Sequence, residues 1–331
     1  MAMKISIREF SKEFLNGFLA VHWRQWSALG VASHVGAEEK WIIDLEALTL
    51  STLTLGLLDT RLLGAALEWL IKYGEWLNLP RLKRIARVFM RPLAESSSQG
   101  IPLLAPPVFE LLGSTLQRFD QKRWTPGNLH DQGRGKTPGP EYEAFFGNFQ
   151  MRGIVTDPSL QRPSLLQLRL RGVFGIDAMV EVLIYLMSHE SGNSNAIAKE
   201  IFYDQTNIYR IGERWHKAGL LTKIKGRKAG VLVLERRNDW LNLFGLNDTP
   251  EYLNWVLTFA LLNQICKVLF VPPWSEDEYV LSSLFRDTLN EMRRLGGYLD
   301  IAFPEPDRYP GASYFTPFGS QVLSILQQFN Q

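Results

Sequence analysis

Cysteine is nearly absent: Cys266 is the one thiol in 331 residues. A single thiol excludes an intramolecular disulfide framework and a multi-cysteine zinc site within one chain. Its apolar surroundings, Leu261, Leu262, Ile265, Val268 and Leu269, suit a reducing, cytoplasmic setting. Histidine is also scarce, and His22, His34, His130, His189 and His216 lack the HExxH or His-x-His spacing of a metal site, so no metal is expected. No sign of charge dominates. The 36 Lys and Arg against 34 Asp and Glu leave +2, which excludes a basic tail binder and an acidic solvating protein. Long hydrophobic runs are missing as well. The longest apolar window, Ala47 to Leu58, is interrupted by Thr and Gly and closed by Asp59 and Arg61, short of a bilayer crossing. Lys4, Arg8, Glu9, Lys12 and Glu13 break up the first residues, unlike the apolar stretch of a secretory signal. A soluble chain with no membrane partner is the expectation.

Catalytic patterns are missing too. Gly133-Arg134-Gly135-Lys136-Thr137 ends like a phosphate-cradling loop, but His130 stands where the first glycine belongs and Pro138-Gly139-Pro140 follows where a helix must start. Neither a Gly-x-Ser-x-Gly elbow nor a similar strand-turn-helix setting occurs. Asp44 with Glu46, and Glu276, Asp277 and Glu278, are candidate acid-base pairs, although the last three sit where a helix starts and suit its dipole. No enzyme, no catalytic residue and no cofactor are expected.

What is present is helical periodicity and, with 46% hydrophobic residues, ample material for a core. Helical spacing runs through Arg8 to Ala20, Trp41 to Leu57, Thr60 to Tyr73, a segment starting at Pro80 and ending before Pro92, and Pro106 to Phe119. It returns in Pro250 to Leu269, Ser275 to Leu295 and Pro317 to Phe329. Between Asp120 and Gly153 the period is lost among glycines and prolines. The organisation expected is mainly α: a helical N-terminal domain over 1–120, a Gly/Pro-rich linker over 121–153, a central domain over 154–245 and a helical C-terminal domain over 246–331. One N-terminal helix carries Arg81, Lys83, Arg84, Arg87 and Arg91, read as a solvated face or as partners of distant acids, with an auxiliary phosphate contact as the alternative. The C-terminal aromatics Tyr252, Trp255, Trp274, Tyr279, Tyr298, Tyr309 and Tyr314 read as core, with the lining of an effector pocket as the alternative.

The central segment is the most informative. Asp177 suits a helix cap before Met179, Val182, Leu183, Leu186 and Met187. Ser194 is the expected cap of a short helix rich in small residues, Ala196, Ile197, Ala198 and Ile201. A break at Tyr203 leads to Asp204, the expected cap of a third helix with Ile208, Ile211 and Trp215 inward. Gln205, Thr206, Asn207, Tyr209, Arg210, Glu213 and Arg214 are left on its outer side. Ala218-Gly219 ends the helix, and Leu221 to Ile224 and Val231 to Glu235 alternate as a hairpin whose tip carries Lys225, Arg227 and Lys228. From Gln205 to Arg237, nine Lys and Arg face two acids, a local +7 against −5 for the remainder. Such a segment attracts a polyanion that the rest repels.

The stretch NSNAIAKEIFYDQTNIYRIGERWHKAGLLTKIKGRKAGVLVLER, within Pro163 to Leu243, resembles the winged-helix family of bacterial DNA-binding domains. Two features depart from that pattern: Gly212 inside the third helix, and bulky Trp215 at a core position. The resemblance implies a winged helix-turn-helix with a small β-hairpin wing, acting in a transcriptional regulator on double-stranded DNA. It implies that the third helix enters the major groove, with Gln205 and Asn207 suited to adenine, Arg210 to guanine and Thr206 to a thymine methyl or a phosphate. Tyr209 and Arg214 lie on the same side, and Lys225, Arg227 and Lys228 would grip backbone. A homodimer would set two such helices on half-sites. The competing reading is a protein-docking or assembly module without DNA.

Overall fold

The computed structural model describes residues 5–89, 106–120, 124, 140–224, 230–246, 251–270, 277–298 and 302–331. Helix α1 (Ile7–Ala28) opens with a capping box in which Ser6 and Glu9 exchange hydrogen bonds. It extends beyond the expected Arg8 to Ala20 because Val21, His22, Gln25 and Trp26 continue its buried face. Asp44 caps α2 (Leu45–Leu55), and Asp59 caps α3 (Thr60–Tyr73). After α4 (Leu79–Phe89) come α5 (Pro106–Arg118) and α6 (Pro140–Gly147). The last of these falls within the expected Gly/Pro-rich linker over 121–153: Phe146 is buried and Arg118 donates to the Phe146 and Gly147 carbonyls, so tertiary contacts hold a helix where the sequence shows no period. Most of the expected linker, with the Gly133 to Thr137 run, lies outside the described residues.

The central unit follows as α7 (Leu166–Phe174), α8 (Ala178–Ser188), β1 (Gly192–Asn193), α9 (Ser194–Ile201), α10 (Gln205–Lys217), β2 (Leu221–Ile224), β3 (Val231–Leu234) and α11 (Arg237–Leu243). Then come α12 (Trp255–Phe270), α13 (Glu278–Tyr298) and α14 (Phe315–Phe329). The fold is thus mainly helical with one small antiparallel sheet in the order β1-β3-β2. Leu221 pairs with Leu234 and Ile224 with Val231, while Gly192 pairs with Leu232.

Among the described residues two hydrophobic cores form. The larger is shared by the helices at both ends of the chain: Phe10 meets Phe315 edge-on at 5.4 Å and Phe285 at 6.3 Å, and Trp255 stacks on Phe259. N- and C-terminal segments therefore build one helical body, as α2 lies against α12 and α1 against α14. The C-terminal aromatics divide accordingly. Trp255 and Tyr314 are core, Tyr279 is exposed, Tyr252 is half-buried, and Trp274 lies outside the described residues. Cys266 is packed inside, and burial pushes its thiol up to about 12, an inert group. The continuous run Leu45–Trp76 has the length and apolar character of a bilayer crossing, and 67% of its window is buried within the protein.

The smaller core gathers Leu166, Leu170, Val182, Leu186, Ile197, Ile201, Ile208, Ile211, Leu232 and Leu241 in the central unit. Where it meets the body, the joint is ionic. Glu46 on α2, fully buried, accepts from Arg81 Nη1 at 2.6 Å and from Arg171 Nη1 and Nη2 at 2.7 and 2.8 Å. Arg171 on α7 also donates to Glu181 on α8 at 2.6 Å, and Arg81 on α4 to Asp44 at 2.7 Å. Burial opposes the charges of Arg81, Arg171 and Asp44, but their pairing outweighs it: both guanidiniums are held above their ordinary range, and the Asp44 carboxyl below its own. Asp44 and Glu46, the candidate acid-base pair, are thus both paired with arginine. Arg81 Nε also reaches the Ile201 carbonyl at 3.1 Å, Asn78 donates to the Tyr203 hydroxyl at 2.8 Å, and Arg84 lies over the Tyr203 ring at 5.6 Å. The basic run of α4 thus begins by clamping the turn between α9 and α10, while Arg91 lies outside the described residues.

Candidate nucleic-acid interface

Local sequence sets the geometry of α9 and α10. Asn193, not Ser194, caps α9, because its Oδ1 accepts from the amides of Asn195 and Ala196 at 3.1 and 2.9 Å. Ser194 instead becomes the first helical residue, since β1, a two-residue strand with no period of its own, places Asn193 at the boundary. Phe202 then ends α9 in the left-handed region, with φ of 59°, and turns the chain into α10. Asp204 caps α10 by accepting from Thr206 and Asn207 at 2.9 and 3.2 Å.

At 100° per residue, Ile208, Ile211 and Trp215 lie on one side of α10. Ile208 and Ile211 are buried, and Trp215 is half-buried against the smaller core. Thr206, Arg210 and Lys217 fall opposite and are exposed, and Gln205, Asn207, Tyr209 and Arg214 are exposed beside them. All six expected contact residues on this helix therefore share its outer surface. Lys225, Arg227 and Lys228, at the hairpin tip, lie outside the described residues.

Gly212 has a packing reason. A Cβ there would meet Leu232 Cδ1 at 2.8 Å, so the missing side chain lets β3 approach α10 closely. Gly219, with φ of +76°, ends the helix, and the imidazole Nδ1 of His216 lies 2.8 Å from the Leu221 carbonyl at the corner into β2.

The local excess of positive charge is not all outward. Lys223 pairs with Glu213, and its ammonium lies over the Tyr209 ring at 5.4 Å. Arg236 pairs with Asp239. Arg237 donates to the Met187 and His189 carbonyls at 2.9 and 2.8 Å, satisfying the end of α8. Arg210 and Arg214 make no ion pair among the described residues, although Arg214 Nη2 touches the Met179 sulfur at 2.7 Å. What remains is a helix surface of amides, a hydroxyl and two unpaired guanidiniums, able to donate in pairs and to neutralise phosphate.

Sequence reading allowed distant acids as partners of the Arg81 run, and Arg81 has them in Asp44 and Glu46, but it could not name the joint, because charges at positions 44, 46, 81, 171 and 181 come together only in the fold. No family model, curated protein or solved structure matches the chain.

Proposed function

We propose that this protein binds double-stranded DNA through α10, as a transcriptional regulator of the winged helix-turn-helix type. The observation that carries the reading is the outward exposure of Gln205, Thr206, Asn207, Tyr209, Arg210 and Arg214 on one capped helix. The order α8, β1, α9, α10, β2, β3, with the hairpin packed beside α10, supports it. In this role Gln205, Asn207 and Arg210 read base edges in the major groove, while Arg214 and the hairpin cations Lys225, Arg227 and Lys228 hold phosphate. A homodimer formed by the helical body would place two α10 helices about one helical turn apart.

The test is fluorescence anisotropy with a labelled duplex over a salt series, comparing the native chain with a variant in which Arg210, Arg227 and Lys228 are all Ala. The native protein should lose affinity steeply with salt, with a log-log slope near −0.9 per phosphate neutralised, and the variant should bind weakly with a shallower slope. Equal binding by both removes these residues from the role.

A second reading, a docking module for another protein, is favoured by one observation: Tyr209 and Ile224 are 53% and 54% exposed beside the internally neutralised Lys223–Glu213 pair. A flat salt response would favour it.

A further inference from the structure

Beside α9, away from the Ile197, Ala198 and Ile201 side that enters the smaller core, lies an open cleft of about 520 Å³. That volume suits a small organic ligand. Its walls come from three places: Tyr185 and His189 at the end of α8, Ala196 and Glu200 on α9, and Tyr252 and Asn254 in the segment leading to α12. Tyr185 and His189 stack at 4.1 Å with their planes 7° apart, and Tyr252 meets His189 edge-on at 5.0 Å. Burial, followed by the charge of Arg237, lowers the His189 pKa, so this wall is aromatic and uncharged near neutral pH.

Glu200 is the unusual group. Asn254 Nδ2 donates to its Oε1 at 2.8 Å and Tyr252 also hydrogen-bonds to it, yet no cation pairs with it among the described residues. Glu46 and Glu181, by contrast, both face arginine. Glu200 is half-buried, and burial raises its pKa, as expected for a carboxylate with no opposite charge beside it. Lys199, its neighbour, is exposed on the rim.

We infer that this cleft is a binding site for a small organic cation, an amine or amidine on an apolar or aromatic body, with the cationic head at Glu200 and the body against Tyr185 and Tyr252. A carboxylate supplies the missing charge-assisted hydrogen bonds, and ring faces attract the same cation. An anion of equal size meets an uncompensated negative charge. The site also joins two parts of the molecule. Asn254, which holds Glu200, caps α12 by accepting from Leu257 N at 3.1 Å and also donates to the Glu200 carbonyl at 3.3 Å. Asn254 therefore ties α9 to the helical body at the edge of this cleft. The inference stands whether or not α10 binds DNA.

Isothermal titration of the full chain with benzamidine and with 2-phenylethylamine tests it, alongside benzamide as the neutral analogue and benzoate as the anion. At least one cation is expected to bind one-to-one and saturably, with the neutral and anionic analogues at least about tenfold weaker. Glu200→Gln should weaken the cation by a similar factor. Ala196→Trp, at an exposed helix position, should block the cleft with far-UV circular dichroism unchanged, and so reports even if Glu200→Gln misfolds. Lack of saturable binding by both cations at millimolar concentration, equal binding of benzamide or benzoate, or affinity unchanged in either folded variant would overturn the assignment.

Discussion

Helices α4 and α10 are both basic, and the fold uses them oppositely. In α4, Arg81 is 3% exposed and its guanidinium is divided between Asp44, Glu46 and the end of α9. In α10, Arg210 and Arg214 are exposed and form no ion pair among the described residues. The difference is one of surroundings. α4 packs against α2, whose cap Asp44 and first-turn Glu46 supply two carboxylates, whereas among the described residues no carboxylate pairs with Arg210 or Arg214 of α10. A buried cation is a structural part that demands its partners; an exposed one remains available for a ligand.

The largest break in that contrast comes from Glu46→Ala. It leaves Arg81 and Arg171 buried with part of their counter-charge gone, and urea denaturation should show a loss of about 3–5 kcal/mol. A loss under about 1 kcal/mol would mean that the joint is not a closed ionic network.

Burial of polar groups in the helical body also predicts a pH response. His22, fully buried with its ring nitrogens at the Phe18 carbonyl and the Ser51 hydroxyl, has its pKa lowered to about 4 by desolvation. Between about 4 and 6.5 the unfolded chain binds more protons at this site than the folded one. The stability is therefore complete above the unfolded value and falls as pH drops through that window, by about 3 kcal/mol. Asp44 adds a loss only further down. Burial alone would raise its carboxyl, Arg81 holds it low, and protonation at acid pH removes that pairing. Denaturation curves at neutral pH and near pH 4 should show the loss, and His22→Gln should flatten it; an equal slope in the variant would assign the effect elsewhere.

Smaller effects belong to α10. If it reads DNA, Arg210→Ala should weaken duplex binding by about 1–3 kcal/mol in anisotropy titrations. Its folding stability should change by less than about 0.5 kcal/mol, since the side chain is outside. Between these sits Asp204→Ala, which removes the cap on the Thr206 and Asn207 amides and should cost about 1 kcal/mol of stability. A large stability loss in Arg210→Ala would erase the distinction between the two helices.

Much of this framework was readable from local pattern. Thr60 to Tyr73 matches α3 as expected, Asp177 and Asp204 cap the helices they were assigned to, and Leu221 to Ile224 is β2. These depend on neighbours within a few residues, which a sequence displays directly. The misplaced features depend on more. β1 is two residues long and exists through pairing with Val231 and Leu232, nearly 40 positions on. Gly212 looked like a flaw in a helix until Leu232 supplied the close approach. Nothing local marks the carboxylate of Glu200, because its hydrogen-bond partners Asn254 and Tyr252 lie more than 50 positions away.

The order of amino acids determined by itself the caps of α8 and α10, the span of α3, the apolar face of α10, and that positive charge concentrates between Gln205 and Arg237, because capping, periodicity and composition act over a turn or two of chain. Which charges are buried and matched, which are left outside, and that the two ends of the chain share one interior were decided only by tertiary structure. Burial and ion pairing depend on distances in space, and Arg171 meets Glu46 across 125 residues of sequence.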